Sequence, residues 1–306
     1  MVYKAFIFLL ANIFLFGCGT KQQDRQTFDF KRDREYKLYS YGIITGEKPI
    51  VWGSEQSTKM IKETKYSKPF FALLPHYAPQ VYLTSCGPAS ARIVLSSIYE
   101  TNGTPFPLDR EHSNIENENG FTRGKFLFSE RSVFEVYKGD EDGKNYDVIS
   151  RLKKRKSGKF GGGTDIDALA EVMNLHPNVK AQHFAVSSKD DPKKSINDFR
   201  KQIKQLMIAD GKYMLANYHT GAMYPITSGH FSPIVAYHEP TDMVLIMDVA
   251  GHLGTWVWVK VEELYKSMNT LINGNIRGYI IIENTAKNNN VSKNNKVSQQ
   301  TNSQSK

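Results

Sequence analysis

Three side chains of complementary chemistry follow one another along this chain: a thiol, an imidazole and a carboxylate. The thiol is Cys86, in Gln80-Val81-Tyr82-Leu83-Thr84-Ser85-Cys86-Gly87-Pro88-Ala89-Ser90. Pro88 has no N–H and suits the first turn of a helix. Gly87 and Ala89 let other groups approach the backbone closely. Cys86 is therefore expected at a helix N-terminus, where the dipole and free N–H groups favour the thiolate that attacks carbonyl carbon. Gln80 lies just upstream. Its amide can donate to the oxygen of a tetrahedral intermediate beside the Cys86 N–H, a contact worth about 3 kcal/mol.

The imidazole and carboxylate are His230 and Asp248. Gly229-His230-Phe231-Ser232-Pro233-Ile234-Val235-Ala236-Tyr237 reads as a strand led by His. His238-Glu239-Pro240-Thr241-Asp242 reads as a turn, and Met243-Val244-Leu245-Ile246-Met247-Asp248-Val249 as the return strand. A hairpin folded about residue 239 or 240 puts Asp248 opposite or diagonal to His230 on one face. An Asp in an apolar strand is costly unless paired. Asp248 would then orient His230, which takes the thiol proton and returns it to a leaving amine. A lone strand His or Asp is commonly structural, so the weight rests on the combination: a thiol enzyme that cuts or transfers peptide-type bonds. His219, His238 and His252 could be surface groups or metal ligands. No H-x-x-x-H pair and no Cys ligand supports zinc, and no metal site is assigned.

These residues need a helix and a sheet to hold them. Residues 86–99 carry Ala89, Ile93, Val94 and Ser97 at helical spacing. Residues 164–174 open with Thr164 and Asp167, and residues 195–207 with Ser195 and Asp198, both in capping-box pattern. Ile196, Phe199, Ile203 and Leu206 form the second helix's apolar stripe, and Gly211 closes it. Strands are expected at 213–218, 231–237, 244–249, 255–259 and 277–283, with a helix over 261–268. Residues 138–163, rich in Lys, Gly and Asp, read as an exposed insertion. Helices in front and an antiparallel sheet behind make an α+β fold.

The chain has 306 residues, 40% of them hydrophobic and 12% aromatic, with net charge +9. That composition is globular. The charge suits anionic lipid or an acidic small substrate. With no basic stripe carrying interleaved aromatics, nucleic acid is excluded as a partner. Lys4 precedes an apolar run over 5–16 that is too short to span a bilayer. The run ends in Leu15-Phe16-Gly17-Cys18, which resembles a bacterial lipobox. This implies cleavage before Cys18 and its lipidation, leaving Cys86 as the only other thiol. Residues 1–17 are read as a lipoprotein signal peptide, 18–45 as a polar tether, 46–284 as the catalytic domain and 285–306 as a disordered tail. The expected location is the periplasm-facing cell envelope. Gly19 favours the outer membrane over the inner.

Cys, His and Asp in this order, with an upstream Gln, resemble the papain-like cysteine peptidase fold. There the nucleophile helix of a helical N-terminal lobe packs on an antiparallel sheet lobe. Ser228-Gly229-His230-Phe231-Ser232-Pro233-Ile234, Tyr237-His238, Asp242-Met243 and Asp248-Val249-Ala250 closely resemble phytochelatin synthase. So do Ser85-Cys86-Gly87 with Gln80, Ser195-Ile196-Asn197-Asp198-Phe199-Arg200 and Arg277-Gly278-Tyr279. The resemblance covers roughly 70–283 and implies a γ-glutamylcysteine dipeptidyltransferase. Its thiolate releases glycine from glutathione and passes the γ-glutamylcysteinyl group to water or to another glutathione. By position, Cys86 is nucleophile, His230 base and acid, Asp248 orienter and Gln80 oxyanion donor. Arg277 would bind a substrate carboxylate, with Gly229 and Ser232 beside the substrate. No tightly bound cofactor is implied. Heavy-metal ions such as cadmium or zinc enter as metal–glutathione thiolates, and a homodimer stays open. The family's Arg after Asp-Val-Ala is Gly251 here, and the aromatic-proline stretch beyond it is replaced by His252-Leu253-Gly254-Thr255-Trp256. Hydrolysis is therefore expected over phytochelatin synthesis.

Two other readings compete. One is a papain-like peptidase of the leader-peptide type, against which Ser232-Pro233-Ile234 argues. The other is a non-catalytic lipoprotein that binds metal or peptide.

Overall fold

The computed structural model describes residues 48–107, 128–137, 145–147, 164–186, 192–220, 228–251, 256–272 and 275–286. The expected signal segment, Cys18, the tether, His252 and nearly all of the polar tail lie outside them.

The chain enters through β1 (Ile50–Val51), α1 (Glu55–Glu63) and α2 (Lys68–Leu73). Ser54 caps α1 by accepting the Ser57 N–H at 3.1 Å. The nucleophile helix α3 runs Cys86–Asn102 and stops at Gly103, whose φ of 62° suits the left-handed cap. The short hairpin β2 (Glu135–Tyr137) and β3 (Asn145–Asp147) follows, so the expected insertion contains a strand. Next come α4 (Ile166–Asn174), β4 (Val179–Ala185), α5 (Pro192–Met207), β5 (Lys212–His219), β6 (Gly229–His238), β7 (Met243–Ile246) and β8 (Val257–Lys260). The described chain closes with α6 (Val261–Met268), the pair β9 (Leu271–Ile272) and β10 (Asn275–Ile276), and β11 (Gly278–Asn284).

Seven strands form one antiparallel sheet in the order β1-β8-β7-β6-β5-β11-β4. Its central strands are buried on both faces, so both must be covered. Helices α3 and α4 pack Ile93, Leu95, Leu169 and Met173 on one side with Val235, Leu245 and Trp258. Helices α5 and α6 pack Phe199, Ile203, Leu264 and Met268 on the other with Met214, Ile234 and Ile246. The molecule is α+β, with helices on both faces of the sheet rather than gathered in front. Arg200 of α5 forks onto Asp242 at 2.7–3.0 Å, tying that helix to the β6–β7 turn.

Both expected capping boxes differ from the structure. Helix α4 starts at Ile166 after Asp165, and Asp167 bonds His183 instead of the helix end. Helix α5 starts at Pro192, which suits a first turn, so Ser195 lies inside it. Strand β4 was not expected, although Val179-Lys180-Ala181-Gln182 alternates as a half-buried strand does.

The β6–β7 register decides the site. From the turn, His238 pairs with Met243, Tyr237 with Val244 and Ala236 with Leu245. Ile234 then pairs with Ile246, so Val235 is an extra residue, a β-bulge. Val235 and Ala236 accordingly both join the α3–α4 core. The Met247 N–H bonds Pro233 O at 2.9 Å and carries the new register onward. Without the bulge, Asp248 would pair with Pro233 and face away from His230. With it, the two residues are diagonal on one face.

Candidate active site

Cys86 opens α3 and is 7% exposed. Gly87 seats that first turn: a Cβ there would lie 3.3 Å from Thr164 Cβ and 3.5 Å from Phe231. Ser85 does not cap the helix. Its hydroxyl turns back to Tyr82, donating to the carbonyl at 2.9 Å and accepting the N–H at 3.1 Å.

His230 is 4% exposed, and its Nε2 lies 2.8 Å from Asp248 Oδ1. Cys86 acts on the same ring, and with Nε2 on Asp248 the ring nitrogen left for the thiol is Nδ1. Burial opposes the imidazolium, but the charge and hydrogen bond of Asp248, aided by Cys86, outweigh it and raise the His230 pKa well above the ordinary range. Asp248 Oδ1 also accepts the Ala250 N–H at 2.8 Å, and Tyr77 Oη donates to the Asp248 carbonyl at 2.9 Å. Tyr218 meets the imidazole edge-on at 5.5 Å. Thiol, imidazole and carboxylate thus form one buried chain, which can take up and return a proton at sulfur.

Arg277 is no surface residue. It is 3% exposed, donates to Asn217 Oδ1 at 3.2 Å, and leaves a buried Nε without a partner among the described residues. Burial lowers its pKa, and the charge of Cys86 works against that lowering. Gly229 makes room for it, since a Cβ on residue 229 would fall 2.4 Å from Arg277 Nη1. Beside this group lies a cleft of about 180 Å³, lined by residues that include Thr164, Asp165, His183, Asn217 and Ile276. Among the described residues no cluster of His, Cys, Asp or Glu is arranged to hold a metal ion.

Two of the expected site residues are engaged within the protein. Ser232 is fully buried, donates to its own Phe231 carbonyl at 2.7 Å and accepts from Tyr218 Oη at 3.5 Å. Gln80 is near the site, but its Nε2 is spent on Tyr82 O at 2.8 Å and Leu83 O at 3.2 Å. Asn217 and Tyr218 were missed. A polar residue inside the buried run of β5 was the signal for Asn217.

A phytochelatin synthase family model matches residues 153–279. The chain is 34% identical over 215 residues to glutathione gamma-glutamylcysteinyltransferase 1 of Arabidopsis thaliana, covering 70% of this chain and 36% of the plant protein. Against the enzyme of that name from Triticum aestivum it is 33% identical over 218 residues, or 70% and 35%. Glutathione gamma-glutamylcysteinyltransferase 3 of Lotus japonicus matches at 36% over 90 residues, or 29% and 19%. The chain spans well under half the length of these relatives.

Proposed function

Because the chain belongs to the phytochelatin synthase family, we propose that it releases glycine from glutathione through a γ-glutamylcysteinyl thioester on Cys86. The observation that carries this reading is the buried Cys86–His230–Asp248 chain beside an arginine that lacks a carboxylate partner among the described residues. The sulfur attacks the Cys–Gly carbonyl, and the C–N bond breaks. The His230 imidazolium gives its proton to the departing glycine nitrogen. Water, deprotonated by His230, then attacks the thioester and frees γ-glutamylcysteine. A second glutathione in place of water would yield phytochelatin. Hydrolysis is the favoured fate, because Gly251 stands where the resemblance calls for Arg.

Arg277 and Asn217 are assigned to the γ-glutamyl α-carboxylate, with the neighbouring cleft holding the rest of that group. Placement of the thiol at a helix start, the imidazole on a sheet strand and the carboxylate two residues past the end of the next strand supports a papain-like relationship. Gln80 can serve the oxyanion only after its amide turns away from Tyr82 and Leu83. Heavy-metal ions enter as glutathione thiolates, that is, as part of the substrate. Cys18 is assigned as the lipid anchor of an envelope protein, on the strength of Leu15-Phe16-Gly17-Cys18.

Purified protein mixed with glutathione should release glycine and γ-glutamylcysteine, and brief exposure should add one dipeptidyl mass to residue 86. Cys86→Ser should do neither. Absence of glycine release by the unmodified protein refutes the assignment, and phytochelatin as main product refutes the preference for hydrolysis.

A further inference from the structure

The carboxylate of Glu130 plays no part in the scheme above. It is 6% exposed, and its Oε1 accepts the Val81 N–H at 2.7 Å. Its Oε2 is buried and has no hydrogen-bond partner among the described residues. A carboxylate so enclosed and half satisfied is costly, which points to a use. Its mounting is rigid: Ser129 and Ser132 exchange N–H···Oγ bonds at 2.7 and 3.1 Å, and Val133 O pairs with His176 Nε2 at 2.9 Å. The loop it grips is exposed, with Val81, Tyr82 and Leu83 at 64%, 60% and 81%.

Gln80 is held at both of its peptides. Its own N–H donates to Val249 O at 2.7 Å, and the next N–H goes to Glu130. Its side chain is not matched, because Oε1 is buried without a donor among the described residues. An amide NH₂ has two hydrogens. If one is to meet an oxyanion, the other needs a fixed acceptor to hold the amide plane. The spare acceptor at the peptide joining Gln80 to Val81 is Glu130 Oε2.

We propose that Glu130 is a positioning residue: one oxygen fixes the Gln80–Val81 peptide, and the other receives an amide hydrogen of Gln80 when that amide turns toward the oxyanion. The proposal rests on the thiol acyl-transfer reading. Glu130→Gln tests it, because the substituted amide keeps an oxygen for Val81 but presents N–H where the spare acceptor was.

The expected result is a kcat at least about 10-fold lower. KM, the rate of Cys86 alkylation by iodoacetamide and the melting temperature stay near those of the unmodified protein. Glu130→Gln added to Gln80→Ala should cost no further activity, since Glu130 acts through Gln80. An unchanged kcat, an alkylation rate that falls with kcat, or additive losses in the double variant each overturn the proposal. If Glu130→Gln does not fold, Glu130→Asp is read by the same criteria. Turnover of p-nitrophenyl acetate at Cys86 separates the two ideas. Ester turnover without glutathione cleavage defeats the substrate assignment alone, and the Glu130 comparison is then made on the ester.

Discussion

Arg277 and Gly229 are fitted to each other: the guanidinium occupies space that a side chain on residue 229 would need. Gly229→Ala must displace it. We expect KM for glutathione to rise about 10-fold or more, as when a bidentate contact to a carboxylate is lost, while Cys86 alkylation stays unchanged. Equal KM values for the two proteins would remove Arg277 from substrate binding.

Arg277→Met sets stability against function. A buried cation without a carboxylate is costly to the folded state. Its replacement by an apolar side chain of similar length should raise the melting temperature while glutathione turnover drops at least about 100-fold. Calorimetry and glycine release read the two effects. A lower melting temperature would mean that the Asn217 contact outweighs the desolvation.

The His230–Asp248 bond makes a pH prediction. Because the His230 pKa is raised, its contribution to stability is complete below the ordinary imidazole value near 6.5. It is lost as pH rises through the folded-state value. Asp248→Asn removes the main stabiliser of the cation. The alkaline fall of kcat, set by loss of the imidazolium that protonates the leaving glycine, should move to lower pH, and kcat should drop about 10²–10⁴-fold. A kcat–pH profile identical to the unmodified protein's would separate Asp248 from the reaction.

His176 acts in the opposite sense. Burial lowers its pKa to about 4, although its bond to Val133 O works against that. The unfolded chain takes up the proton first, so stability is complete above pH 6.5 and declines as pH falls toward 4. The loss is on the order of 3 kcal/mol. His176→Gln should flatten the dependence of melting temperature on pH in that window. A slope unchanged by the substitution would assign the acid sensitivity to other groups.

The pairing of His230 with Asp248 was legible because strand periodicity is two and both residues stand at matched distances from a Pro-containing turn. The bulge at Val235 was not, since an extra residue in an apolar run leaves no mark in composition. The expected even register and the observed odd one converge only through it. Helix α3 was legible from Pro88 and its apolar spacing. Burial of Arg277 was not, because arginine is mostly found at surfaces and no local pattern marks an exception. The Gln80 amide depends on which carbonyls the loop presents, a tertiary property. The full burial of Ser232 was not legible either, because its hydroxyl is satisfied by its own strand.

Helix α3 is enclosed by protein at every position from Cys86 to Tyr99. The reactive sulfur is thus the tip of a post sunk through the middle of the molecule, and shifting that post disturbs the packing of the whole centre. Changes in what the protein accepts therefore fall to the rim around it: the apolar apex at residues 81–83, the start of β6 and the start of α4. Altering the post means repacking the centre, while the rim can be changed one side chain at a time.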